Sequence, residues 1–219
     1  MDRIDVEIES ALATLRGELP EASKRPAGRD FLVRTLSLRV AMSGAMRRRY
    51  RALATQFDLL GQGSVRCLLE QWSASAELHE REAECELWAT DAEPLPAPLD
   101  ARLWDAYFDE ISVVRPCEAL GAAAAWESLS GAAVALGRQQ LAASRFATSP
   151  RRAEEARGAE LLTAIRSEDW DAEQIAELSA GASVGRVMSL RLMRWALGRC
   201  EVEAGASERR APRWGARLA

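Results

Sequence analysis

Apolar residues recur at three- and four-residue intervals along almost the whole chain. Strand signals are nearly absent: there is no alternating Val/Ile/Thr run and no Asn-Gly hairpin. The pattern predicts a helix over about 3–18, ended by "GELP" and followed by the polar link "EASKRPAG". It predicts a second over about 29–58 and a third over about 64–91, separated by "GQGS". "EPLPAP" reads as a loop, after which Asp100 is placed to cap a helix over about 100–113. Pro116 opens a helix running to about 146. "TSP" starts the next with a Ser or Thr cap, and it ends near Ser167. The last begins after Trp170 and runs to about 200, with "GASVG" (181–185) as a candidate kink. Short connections between long helices imply an all-α bundle of about seven helices. Residues 1–203 are read as one domain and 204–219 as a flexible tail.

At 100° per residue, Trp72, Ala76, His79, Ala83 and Leu87 share a stripe, with Glu80 beside it and Glu84 at its edge. Leu120, Ala124, Glu127, Gly131 and Val134 form another face, which Arg138 continues. Glu154, Arg157, Leu161 and Ile165 form a third. Three helices thus carry charge on faces that also carry apolar residues. A buried carboxylate without a partner costs several kcal/mol, so partners are expected. Glu127 raises the point most sharply, because it interrupts the alanine- and glycine-rich stretch "RPCEALGAAAAWESLSGAAVALG".

With 219 residues, 48% of them hydrophobic and 28% charged, the composition suits a soluble globular protein. The net charge of −4 argues against a nucleic-acid or anionic-membrane surface, and "MRRRY" and "ERRAPRWGAR" read as solvated basic runs. No uncharged apolar stretch reaches 18 residues, so no membrane span is expected. The acidic start "MDRIDVEIES" has no apolar core of a signal peptide. Cys67, Cys85, Cys117 and Cys200 are far apart with no CxxC, which suits a reducing compartment, and the expected location is cytoplasmic.

Three blocks, "LHEREAECELWATDAEPL" (78–95), "RPCEALGAAAAWESLSGA" (115–132) and "RFATSPRRAEEARGAELLTAI" (145–165), resemble the heme-oxygenase-like helical superfamily in their order and spacing. Within it they look most like the iron-containing redox enzymes, the heme-oxygenase-like diiron oxidases. The resemblance implies a single-domain heme-oxygenase-like bundle. It places Leu120-Gly121 and Glu127 in the block that holds a metal-bridging carboxylate, with Glu154 as the acidic ligand of the third block and Gly158 in its glycine position. The family's histidines are missing. Pro150 and Arg157 stand where two are expected, and in the first block Glu84, or Ala83 with a one-residue slip, takes a histidine position. His79, the single histidine, fits none of these slots.

Diiron sites need neutral imidazoles beside carboxylates, so no cofactor is the main expectation, and diiron or another divalent metal held by oxygen ligands is the lesser one. A guanidinium stays charged and forks onto carboxylates, so Arg157 is expected to occupy the former metal position and neutralise Glu127, Glu154 or Glu84. Arg157 or Arg138 could instead clamp a ligand carboxylate or phosphate. His79 reads either as an acid–base group or as a hydrogen-bonded core residue. Cys117 reads as an inert buried thiol, with a nucleophile of the thiaminase kind as the alternative. Trp126 could wall a pocket for a planar ligand. Two functional readings follow. One is an enzyme or binder of a small molecule in a central pocket, in specialised biosynthesis, using Glu127, Glu154, Arg157 and His79 with Arg138, Trp126 and Glu84 around the ligand. The other is a non-catalytic partner protein that kept the bundle and lost the ligands. A homodimer is expected by family analogy.

Overall fold

A computed structural model describes residues 2–22, 28–89, 91–141 and 152–198. The described residues form seven helices and no strand: α1 (Asp2–Ala22), α2 (Gly28–Leu59), α3 (Gly63–Ala89), α4 (Leu99–Val114), α5 (Pro116–Leu141), α6 (Arg152–Arg166) and α7 (Ala172–Ala196). The protein is all-α. No described helix is long and apolar enough to cross a membrane.

The predicted stripes face inward wherever their side chains are described. On α3, Trp72, Ala76, Ala83 and Leu87 are buried; on α6, Leu161 and Ile165 are buried. Helix α5 departs from the stripe pattern. Every residue from Cys117 to Glu127 is buried, so it presents no solvent face over three turns. The alanines explain this: small side chains on all sides let α1, α2, α4, α6 and α7 approach one helix together. Its most extensive neighbour is α7.

Their crossing explains the "GASVG" segment. α7 runs unbroken through it, so the predicted kink is absent. The glycines serve close approach instead. A Cβ on Gly181 would overlap the Glu118 carbonyl, one on Gly121 would overlap the Leu178 carbonyl, and one on Gly185 would meet the Ala122 carbonyl at 2.6 Å. Two helix backbones touch here without intervening side chains.

Helix ends are tied by side chains from elsewhere. Asp171 and Gln174 form a reciprocal capping box at the start of α7. At its other end Arg34 donates to the Trp195 carbonyl at 3.1 Å and stacks on that ring at 5.2 Å, placing a cation at the negative end of the helix. Asp100 does not cap α4. The cap position is Pro98, and Asp100 sits in the first turn, paired with Arg191 of α7 at 2.7 Å. The "TSP" cap before α6 and the 204–219 tail lie outside the described residues.

Gly181→Ala is expected to cost about 3 kcal/mol or more by urea denaturation, because the added methyl meets backbone that cannot rotate away. Gly17→Ala, where nothing lies within 4 Å of the new Cβ, should stabilise α1 by roughly 0.5–1 kcal/mol.

Candidate functional site

Glu127 is 4% exposed, and both of its carboxylate oxygens have partners. The Tyr50 hydroxyl from α2 donates to Oε1 in a short hydrogen bond. On the other side Oε2 lies 3.8 Å from Nη1 of Arg157 on α6, an ion pair too long for a direct hydrogen bond. The guanidinium is held in place by α3. Its Nη2 donates to Ser75 Oγ at 3.2 Å, and its plane lies 5.2 Å from the Trp72 ring. Trp72 also packs on Tyr50 with ring centroids 5.6 Å apart. Four helices therefore close around one carboxylate.

Local packing allows this convergence. A Cβ on Gly158 would overlap the Ser128 backbone, so only glycine lets α6 come close enough to α5 for the preceding Arg157 to reach Glu127. The Ser128 hydroxyl at that contact is buried without a hydrogen-bond partner.

Burial acts on the proton equilibria in one direction. Desolvation, then the neighbouring Glu127 charge, holds the Tyr50 hydroxyl neutral well above the ordinary tyrosine range, with Arg157 opposing weakly. Tyr50 is thus a donor locked in its protonated form rather than a group that exchanges protons near neutrality.

A second cluster repeats the arrangement. Glu118, in the first turn of α5, is 7% exposed. It accepts from the Tyr107 hydroxyl at 2.8 Å and from Arg115 Nη1 at 2.7 Å. Desolvation and then the Glu118 hydrogen bond push Tyr107 upward as well. Glu118 and Glu127 are the buried carboxylates among the described residues, and the two tyrosines of the chain each serve one of them.

The remaining candidates separate from this centre. Glu84 is exposed while Ala83 is buried, so the expectation that Glu84 joins the pocket is corrected: one residue rotates 100° around the helix, and it is the alanine that faces in. Trp126 stacks on Trp104 with centroids 6.1 Å apart, in a core aromatic group that also holds Tyr107 and Phe108. The side chains of His79, Glu154 and Arg138 lie outside the described residues. Cys117 is buried, and desolvation, followed by Glu177 and Asp171, pushes its thiol up to about 12, against a nucleophile. Tyr50, Trp72 and Ser75 were not read as site residues from sequence. A groove of about 600 Å³ lies elsewhere, between α3 and α6, and neither Glu127 nor Arg157 lines it.

Among the described residues, those around Glu127 do not form a diiron centre. A guanidinium and a phenol occupy the oxygens of the expected bridging carboxylate. Among the described residues no group of three His, Cys, Asp or Glu side chains could hold a metal ion. The chain matches no protein-family model, and no curated protein or solved structure matches it.

Unfolded tyrosine ionises near 10, whereas Tyr50 stays protonated well above that when folded. The corresponding stability is complete below about pH 10 and is lost as pH rises further. Urea unfolding from pH 9 to 11.5 should show this decline, and Tyr50→Phe should lack its share of it. At neutral pH the same variant should lose about 1–3 kcal/mol, because a buried carboxylate oxygen loses its donor.

Proposed function

We propose that this chain is a heme-oxygenase-like helical protein in which a structural tyrosine–carboxylate–arginine network stands in place of the metal site, and that it works as a non-catalytic binding or partner protein. The observation that carries the reading is the saturation of Glu127. Tyr50 holds one oxygen, Arg157 neutralises the other, and Trp72 covers the guanidinium. A carboxylate 4% exposed, hydrogen-bonded on one oxygen and neutralised at the other, would meet a metal or substrate only by displacing the arginine that balances its charge. The spacing of the three sequence blocks supports the superfamily assignment, and the missing histidines support the loss of iron chemistry.

A second reading has one observation in its favour. The Arg157 side chain is 16% exposed and its ion pair with Glu127 is loose, so a small anion could draw the guanidinium away from Glu127.

The deciding experiment combines elemental analysis with a double-mutant cycle. Protein produced with iron and manganese should carry no stoichiometric metal, and Glu127→Ala should not change that; metal that binds to the wild type and vanishes in the variant would overturn the proposal. Arg157→Ala should cost about 3–5 kcal/mol by leaving a buried carboxylate uncompensated, and adding Glu127→Gln should recover part of that loss. An Arg157→Ala protein of unchanged stability that no longer retains a co-purifying anion would favour the second reading instead.

A further inference from the structure

We propose that the groove between α3 and α6 binds a small organic cation, an ammonium group carried on a short apolar body. The proposal rests on the reading of this chain as a binding protein: with Glu127 enclosed by Tyr50 and Arg157, a ligand has to be held elsewhere.

The groove is the gap between two ties. At one end Arg157 of α6 donates to Ser75 Oγ of α3 at 3.2 Å and lies over Trp72. At the other end Glu168, two residues past α6, accepts from the first amides of α3, those of Ser64 and Val65. Between the ties the lining includes Cys67 on α3 and Ala156 and Ala159 on α6, side chains too short to fill the space. The cavity left is about 600 Å³, in the range of small-molecule sites. From Ser64 to Gln71 it runs about 10 Å along α3.

Its floor is apolar: Leu68 and Ala164 line it and pack on the core behind. Two of its hydroxyls turn back on their own chain segment. Thr163 donates to the Ala159 carbonyl and Ser167 to the Ala164 carbonyl, each at 2.8 Å. The Glu160 carboxylate on α6 and the Gln71 amide on α3 also line the groove, and among the described residues no ion pair or side-chain hydrogen bond engages either.

Charge decides the sign of the ligand. Glu168 already occupies the α3 N-terminus, where an anion would otherwise find a site. Arg66 is spent on Asp58 at 3.5 Å and Glu70 at 3.4 Å. Glu160 is the one charged residue in the lining. An anion would face that carboxylate with no cation to offset it. An ammonium gains the Glu160 oxygens and the Gln71 carbonyl as acceptors and lays its apolar body on Leu68.

Two native thiols report occupancy. Cys67 lines the groove, and Cys85, also exposed, lies further along the same helix outside it. Iodoacetamide alkylation followed by peptide mass spectrometry should show Cys67 slowed saturably by hexylammonium and Cys85 unchanged, with hexanoate slowing neither. Glu160→Gln should raise the half-protecting concentration roughly threefold, the size expected of an exposed ion pair. Ala159→Leu, which fills the groove, should remove the dependence on hexylammonium. No protection of Cys67 throughout the millimolar range, equal protection by hexanoate, equal slowing of Cys85, or a Glu160→Gln variant protected as well as the wild type would each overturn the proposal. Failure of the non-catalytic reading shows as metal at Glu127, and failure of the groove shows at Cys67, so the two are distinguishable.

Discussion

The structure depends on the burial of two carboxylates in the stretch of α5 from Cys117 to Glu127, which has no solvent face. α5 is built largely from alanine and glycine, so five helices can press against it, and the same closeness excludes water from Glu118 and Glu127. An ionised carboxylate in such a place needs both hydrogen-bond donors and a countercharge. Among the described residues a tyrosine and an arginine reach each of them: Tyr107 and Arg115 reach Glu118, Tyr50 and Arg157 reach Glu127. The two solutions differ in setting. Arg115 comes from the same chain turn and is largely exposed, whereas Arg157 comes from α6 and is mostly covered. Glu118 is thereby a feature of one helix start, and Glu127 a feature of the whole bundle.

Other polar contacts follow the same logic at lower cost. Arg49, 2% exposed, bridges α2 to α4 through Asp105 at 2.7 Å and Asp109 at 2.8 Å, and lies over Phe108. Its acidic partners reach solvent, so this pair forgoes less hydration than Glu127 and Arg157 do. Ser37 accepts from the Leu95 amide at 2.9 Å and fastens the proline-rich connection to α2. Together these contacts fix α2, α3 and α4 around α5, and so fix where Tyr50 and Trp72 stand.

Periodicity made much of this legible. The helix limits came within a few residues of those observed, and the inward positions of Trp72, Ala83, Leu120, Leu161 and Ile165 were plain from spacing alone. Glu127 stood out because a charge in an alanine run must have a reason, and Arg157 was expected to neutralise Glu127, Glu154 or Glu84, of which it pairs with Glu127. What spacing could not supply was partnership. Tyr50 lies 77 positions from Glu127, and its sequence surroundings, "MRRRY", look like a solvated basic run. The available signal was the scarcity of tyrosine, with two in the chain and two buried acids to serve. Glu84 failed for a different reason: at 100° per residue, a register uncertain by one position exchanges the inside for the outside. The glycines of α7 looked like a break because a helix in isolation has no other use for them; the other helix supplied that use.

That glycine contact also divides the bundle mechanically. Where α5 and α7 touch backbone to backbone, neither can slide or rotate without forcing carbonyls together, so the pair forms a rigid spine. The α3–α6 contact is far less extensive and has a groove along it. Breathing motions of the protein should therefore begin at that seam, and amide exchange should be slowest along the spine. Arg157 and Trp72 sit on opposite banks of the seam, so the guanidinium that closes the core is also the latch through which water would first enter it.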